Sequence, residues 1–166
     1  MKRKILVPTD LSVKSLNLVK EAVHESDAME LEVVLFYATH MSDSIGEMLF
    51  FSKHKLIESL SAEDFLISFD KLKESFTKRL KTISIEVFSG NNKRHLKNYI
   101  HAEGIDEIWL PVNYILRSPD RWAINPMKML QSCGLPVHSI GWAEPEEIRL
   151  SVGSQISGFF FSKFGT

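Results

Sequence analysis

The residues with the clearest capacity for ligand chemistry stand in a turn that follows the first apolar run of the sequence. The stretch is residues 5–12, ILVPTDLS, in which Thr9 and Asp10 follow Pro8. Its apolar part predicts a buried strand, and Ser12 is a good N-cap for a helix. In an open α/β sheet this turn lies at the carboxyl end of the strand, where such folds bind ligands. We therefore expect a ligand cleft beside Pro8, Thr9 and Asp10.

Cationic side chains in a later loop are suited to binding an anion in the same cleft. Arg117 and Arg121 lie in this loop, and Lys128 lies in the first turn of the helix that follows. Guanidinium groups bind phosphates well, and the helix N-terminus expected at Asn125 adds to the attraction. The alternative is that Arg117, Asp120 and Arg121 form a solvated, partly ion-paired loop.

The sequence shows no motif for metal binding or for a known kind of catalysis. Its six histidines and its single cysteine, Cys133, do not have the spacing of zinc ligands. It contains no Gly-x-Ser-x-Gly motif, no Walker loop and no glycine fingerprint of a dinucleotide-binding fold. We therefore predict that the protein binds no metal and is not an enzyme.

The elements that must position these residues alternate between strands and helices. A strand, a helix and a second strand within the first 40 residues form a βαβ unit, whose crossover is right-handed. The continued alternation of apolar runs with helical periodicity places the chain in the α/β class. The strands are predicted at residues 4–8, 31–38, 83–88, 105–110 and 135–140.

The stretch between the second and third predicted strands has helical periodicity. Ser61 is expected to cap a helix there, with acidic residues in the first turn. The apolar residues that follow step by four, three, four and four positions, which predicts one continuous helical stripe. The members of this stripe are Phe65, Phe69, Leu72, Phe76 and Leu80.

Length and composition are those of an ordinary globular protein. The chain has 166 residues, of which 44% are hydrophobic and 25% are charged, and its formal net charge is −1. This length favours one domain, and the near-neutral charge favours neither nucleic acid nor membrane as a partner. No stretch approaches the roughly 18 apolar residues that span a bilayer, and the apolar run after the basic N-terminus is too short for a signal peptide. Together with the single cysteine, these features predict a cytoplasmic protein.

The C-terminal part of the chain differs in character from the rest. Residues 143–166 begin with a short linker, continue with alternating apolar residues and end with four phenylalanines among Ser, Gly and Lys. As a strand or hairpin, this segment would add to a sheet edge or contact a second subunit. We therefore divide the chain into a domain over residues 1–142 and an extension over residues 143–166.

Three local motifs resemble those of the universal stress protein family. They are residues 5–12, the Ser-Gly-Asn sequence at 89–91 and the Gly-Leu-Pro-Val sequence at 134–137. The resemblance covers roughly residues 3–141. It implies a three-layer α/β sandwich around a five-stranded parallel sheet of order 3-2-1-4-5, the adenine nucleotide alpha hydrolase-like fold.

The resemblance also implies roles for residues of the ligand cleft. Some members of the family bind ATP and others do not. In the ATP binders the acid of the first turn contacts the adenosine, and the matching residue is Asp10, with Pro8 and Thr9 beside it. A residue at the end of the second strand flanks the adenine, and Ala38 matches it.

The phosphate-binding half of that site is missing from this sequence. The ATP binders hold the triphosphate on a glycine-rich loop after the fourth strand, where backbone N–H groups approach the phosphate oxygens closely. Here Pro111 and Tyr114 stand at the two glycine positions. Proline has no N–H to donate, and the tyrosine ring would lie where a phosphate should be. We therefore expect no cofactor in the usual family mode.

These features predict a non-catalytic regulatory or adaptor module of a stress response, with a degenerate nucleotide site. The resemblance implies a homodimer that is joined through the fifth strand, at Val137 and Ser139. The C-terminal extension is a further candidate for contact between the two subunits.

Two alternative functions are compatible with the same residues. One is a nucleotide-binding switch or weak ATPase, in which side chains hold the phosphates of ATP or AMP. Those side chains are Arg117, Arg121 and Lys128. The other is a small-ligand pocket that is closed by Tyr114 and the phenylalanine-rich extension.

Overall fold

The computed structural model of the chain describes most of the sequence. The described residues are 1–40, 53–75, 78–90 and 92–141. The extension predicted at residues 143–166, with its contacts to a second subunit, lies outside the described residues. Phe76 of the predicted helical stripe lies outside them as well.

Each strand of the described chain is followed by one or two helices before the next strand, in keeping with the predicted α/β class. The strands are β1 (Lys2–Pro8), β2 (Glu30–Thr39), β3 (Leu80–Ser89), β4 (Glu107–Pro111) and β5 (Val137–Ile140). The helices are α1 (Val13–Glu25), α2 (Lys53–Leu60), α3 (Glu63–Ser75), α4 (Lys93–Glu103) and α5 (Met127–Gln131). Among the described residues, no helix has the length and apolar character needed to cross a membrane.

The five strands form one parallel sheet in the order β3-β2-β1-β4-β5, which confirms the predicted fold. β1 lies at the centre of the sheet, with Ile5 opposite both Val33 of β2 and Glu107 of β4. A central parallel strand is covered on both faces, which explains why Ile5, Leu6 and Val7 are all fully buried. β2 and β3 lie on one side of β1, and β4 and β5 lie on the other side. The carboxyl ends of β1 and β4 therefore border a crevice of the kind that binds ligands.

Helices cover both faces of the sheet and divide the core into two clusters. On one face Ile5 packs in the cluster that contains Leu16 of α1. On the other face Leu6 packs in the cluster that contains Leu96 of α4 and Leu130 of α5. Neighbouring residues of β1 enter opposite clusters because side chains alternate along a strand. The result is the predicted three-layer sandwich.

The helix ends follow the local signals in the sequence. Ser12 Oγ accepts a hydrogen bond from Ser15 N at 3.2 Å and caps α1, as predicted. Asn92 Oδ1 accepts from His95 N at 2.7 Å and caps α4. Gly104 ends α4 with a φ of 64°, the left-handed conformation that glycine adopts without strain.

The helical stretch before β3 differs from the prediction at both ends. α3 begins at Glu63, and the buried Ser61 hydroxyl has no hydrogen-bond partner among the described residues, so Ser61 is not the predicted cap. Leu80 begins β3 instead of continuing the helical stripe, and it pairs with Leu31. A buried strand position and a buried helix position both require an apolar residue, so apolar spacing alone could not separate them.

Candidate functional site

The turn after β1 places two polar side chains in the interior of the protein. Thr9 and Asp10 are each 3% exposed, although they follow the end of the strand. The Thr9 hydroxyl lies 2.8 Å from Ser15 Oγ and accepts a hydrogen bond from Leu11 N at 3.0 Å. Leu11 has a φ of 60°, in the left-handed region that residues other than glycine rarely adopt. These features hold Asp10 at the start of α1.

Asp10 accepts four hydrogen bonds from its own chain. Its Oδ1 accepts from the N–H of Ser12 at 3.1 Å and from the Ser12 hydroxyl at 2.5 Å. Its Oδ2 accepts from the Tyr114 hydroxyl at 2.7 Å and from the N–H of Arg117 at 2.9 Å. An ionised carboxylate has about four acceptor positions, so the hydrogen-bonding capacity of Asp10 is filled. These bonds also offset the cost of burying the charge.

The loop after β4 passes over the carboxyl ends of β1 and β2, and we call residues 112–126 the crossing loop. Beyond its contacts with Asp10, the loop bonds to the end of β2 through its backbone. Ile124 N donates to the Ala38 carbonyl at 2.8 Å, and His40 N donates to the Trp122 carbonyl at 2.8 Å. The crossing loop is therefore attached to the sheet at both strands.

A second carboxylate, Asp120, fastens the crossing loop to β2. Its Oδ2 accepts from the Thr39 hydroxyl at 2.8 Å and from the Tyr37 hydroxyl at 3.1 Å. Its Oδ1 accepts from Trp122 N at 2.9 Å. The Tyr37 hydroxyl also lies 2.7 Å from Ser118 Oγ. Asp120 thus binds hydroxyl and backbone groups, whereas one alternative above placed it in an ion-paired loop with its neighbouring arginines.

Two clefts flank the point where the crossing loop meets Asp10. The first cleft has a volume of about 340 Å³ and is lined in part by Thr9 and Asn125. The second has a volume of about 380 Å³ and is lined in part by Tyr114. Asp10 and Arg117 line both clefts, whose volumes are typical of small-molecule sites. Within the described chain, no cluster of His, Cys, Asp or Glu side chains is arranged to hold a metal ion.

The structure brings together half of the eight residues that were predicted to form the ligand cleft. Those that line the first cleft together are Thr9, Asp10, Arg117 and Asn125. Pro8 and Ala38 are buried near the ends of β1 and β2 and do not line either cleft described above. The Ala38 carbonyl is instead bonded to the crossing loop.

The other two predicted residues, Arg121 and Lys128, also line neither of these clefts. The Arg121 guanidinium lies 4.8 Å from the centroid of the Trp122 ring, and Lys128 is exposed on α5. The helix predicted to begin at Asn125 begins at Met127 and has five residues, so its dipole is small. Asn125 accepts a hydrogen bond from Met127 N at 3.0 Å. An anion therefore gains less from this helix than the sequence suggested.

The sequence did not predict the part played by Tyr37, Thr39 and Ser118. One signal was present, because Tyr37 stands in the apolar run of residues 33–38 and a buried tyrosine hydroxyl needs a partner. That partner, Asp120, lies 83 residues farther along the chain. Local pattern carries no information on a contact of that separation.

Burial changes the ionisation of the two tyrosines that contact these carboxylates. Burial raises the pKa of Tyr37 to about 12, the Ser118 hydroxyl opposes the rise, and the Asp120 charge adds to it. Burial also raises the pKa of Tyr114 well above its ordinary value, as does the hydrogen bond to Asp10. Both phenols therefore stay protonated at neutral pH, and each hydroxyl can donate a hydrogen bond to its carboxylate.

Comparison with known proteins identifies the family of this chain. The model of the universal stress protein family matches residues 1–111, more than half of the sequence. The chain belongs to the universal stress protein family. In this universal stress protein the matched part runs from β1 through β4 and ends immediately before the crossing loop. The crossing loop, which supplies two of the donors to Asp10, therefore lies beyond the matched residues.

Two solved structures share the fold of this universal stress protein, and a third is similar to it with a lower TM-score. The hypothetical protein PH0823 is 23% identical, with a TM-score of 0.52, over 86% of this chain and 98% of that one. The hypothetical protein MJ0577 is 16% identical, with a TM-score of 0.53, over the same shares of the two chains. The universal stress protein UspA from Lactobacillus plantarum is 18% identical, with a TM-score of 0.48, over 83% of this chain and 97% of that one. Comparison with curated proteins found no match.

Proposed function

We propose that this universal stress protein is a non-catalytic regulatory or adaptor module of a stress response and does not bind ATP in the usual family mode. The observation that carries the proposal is the set of hydrogen bonds that Asp10 accepts from its own chain. Its two oxygens already accept hydrogen bonds from Ser12, Tyr114 and Arg117. A ligand hydroxyl can bind this carboxylate only by displacing one of those donors.

The backbone of the crossing loop supports the same proposal. An ATP-binding loop directs its N–H groups at phosphate oxygens. Here Pro111, just before the loop, has no N–H, and many N–H groups of the loop donate within the protein. The residues whose N–H groups do so are Val112, Arg117, Asp120, Trp122, Ala123 and Ile124. Because these N–H groups donate within the protein, they do not suit the binding of a triphosphate in the usual family mode.

Isothermal titration calorimetry with ATP, AMP and cyclic AMP tests this proposal. No saturable heat is expected from the wild-type protein at millimolar ligand, and no phosphate release is expected on incubation with ATP. Tight binding of ATP that is lost in Asp10→Asn would contradict the proposal, because it would show that Asp10 still contacts the nucleotide. Thermal melts of both proteins establish that the variant is folded.

A nucleotide site built from side chains, with or without weak ATPase activity, is the second candidate. Arg117 and Asn125 line the first cleft beside Thr9 and Asp10, which favours this candidate. A guanidinium group there would attract the phosphate of AMP or ATP. In this case AMP would bind more tightly than adenosine, and Arg117→Ala would abolish the difference. Lys128→Ala serves as the matched control, since Lys128 lies outside both clefts.

We also propose that the protein is a homodimer joined through β5, as the family resemblance implies. β5 is the edge strand on its side of the described sheet. Val137 is 40% exposed and Ser139 is exposed on this strand. An open edge that carries an exposed apolar side chain is suited to pairing with a second copy.

We assign residues 1–142 to the universal stress protein domain and residues 143–166 to an extension that contacts the sheet edge or the second subunit. The net charge of −1 supports a protein that binds neither nucleic acid nor membrane. The single cysteine supports a cytoplasmic location.

A further inference from the structure

The Tyr114 hydroxyl takes the position at Asp10 that a ligand hydroxyl would need. It lies 2.7 Å from Asp10 Oδ2 and 2.9 Å from Ser12 Oγ. The N–H of Arg117 takes the other acceptor position of the same oxygen. A hydroxyl group of a ligand binds a carboxylate by donating its O–H at this distance. Tyr114 therefore supplies from within the chain the contact that such a ligand would make.

The space for a ligand persists beside the filled carboxylate. Asp10 and Arg117 line both clefts, and Tyr114 lines the second. The clefts have volumes of about 340 Å³ and 380 Å³, within the range of small-molecule sites. The structure thus provides room for a small polar ligand at Asp10 but no open acceptor position on that residue.

Tyr114 has an advantage over any free ligand because it belongs to the same chain. A tethered group acts at an effective concentration on the order of millimolar or higher. The crossing loop that carries it is also fastened to β2 through Asp120. A ligand that displaced Tyr114 would leave a half-buried phenol without its carboxylate partner, which costs free energy.

We infer that Tyr114 is an internal ligand of Asp10, and that its removal opens one acceptor position on Asp10 to a neutral ligand that donates a hydroxyl group. The inference rests on the proposed function, in which the wild-type protein does not use Asp10 to bind a nucleotide. The added point is that the Tyr114 hydroxyl is the group that prevents this binding. The expected binding depends on the contact with Asp10 alone and on no contact with phosphate.

Calorimetric titration with adenosine tests the inference, because adenosine carries hydroxyl groups but no phosphate. Tyr114→Ala should bind adenosine at least tenfold more tightly than the wild-type protein. Adding Asp10→Asn to this variant should abolish the gain. Thr39→Val is the matched control, since it removes one bond that fastens the crossing loop but leaves Asp10 and Tyr114 unchanged. If Tyr114→Ala gives no cooperative melt, Tyr114→Leu keeps more apolar volume and replaces it in the same comparison.

The outcomes separate this inference from the proposed function. A folded Tyr114 variant that binds adenosine no better than the wild-type protein overturns the inference. An equal gain in Thr39→Val also overturns it, because loosening of the loop would then explain the binding. ATP binding by the wild-type protein through Asp10 would instead overturn the proposed function. An Asp10-dependent gain that is confined to the Tyr114 variant supports the inference.

Discussion

The Tyr37 hydroxyl donates to Asp120 Oδ2 at 3.1 Å and so joins the interior of β2 to the crossing loop. Tyr37 is 2% exposed, and Thr39 on the same strand donates to the same oxygen at 2.8 Å. Asp10 holds the loop at a second point through Tyr114. Two carboxylates that line the first cleft therefore bind groups of the protein itself and hold the crossing loop against the sheet.

Replacement of Tyr37 by phenylalanine should destabilise the fold by about 1 kcal/mol, because it removes a buried donor and leaves Asp120 and Ser118 with fewer partners. Urea unfolding followed by circular dichroism measures the change. Tyr99→Phe is the matched control, since the buried Tyr99 hydroxyl has no hydrogen-bond partner among the described residues. The control should be as stable as the wild-type protein or slightly more so, and equal losses in the two variants would contradict the prediction.

The raised pKa of Tyr37 should make the fold sensitive to alkaline pH. The ordinary value is 10.0, and burial raises the pKa to about 12 in the folded protein. The folded state favours the neutral phenol, so this contribution to stability is fully present below pH 10 and is lost as the pH rises through about 12. Ultraviolet absorbance of phenolate and circular dichroism should therefore change together above pH 10. Ionisation of all three tyrosines near pH 10 with the fold intact would contradict this.

Gly90 should not tolerate a side chain. A Cβ added there would lie 2.6 Å from His95 Nδ1 and 3.0 Å from Phe88 Cζ. Gly90→Ala should therefore cost about 1 kcal/mol of unfolding free energy, since the buried Phe88 cannot move away freely. Adding His95→Ala should recover part of the loss. Gly141→Ala is the control, because no atom lies within 4 Å of its added Cβ, and equal melting temperatures for the two alanine variants would refute the steric explanation.

A charge at the exposed edge of the sheet should prevent the proposed dimer. Val137→Lys places an ammonium group on β5, where self-pairing would bring two such charges close together. Size-exclusion chromatography with light scattering should show a dimer for the wild-type protein and a monomer for the variant. Ile67→Lys on α3 is the matched control, because Ile67 is 43% exposed and Val137 is 40% exposed. Dissociation by both substitutions, or by neither, would argue against β5 as the interface.

The sequence was sufficient to predict those features of the fold that depend on residues close together in the chain. The continuous apolar run at residues 5–7 matches a central strand that is buried on both faces. Ser12 was predicted as a cap, and Asn92 and Gly104 are signals of the same local kind, because each acts on groups within about one helical turn. The order of the strands came from the family resemblance, since periodicity carries no information on which strands are adjacent.

The partners of the polar side chains were decided only by the tertiary structure. Asp10 was recognisable as the acid of a ligand cleft, but its bond to Tyr114 joins residues that are 104 positions apart. That contact depends on the path of the crossing loop, which has no periodicity from which a direction can be predicted. Local sequence thus determined where the acid stands, at the end of a buried strand. The folded path of the loop decided that a tyrosine of the same chain, and not an open position for a ligand, meets that acid.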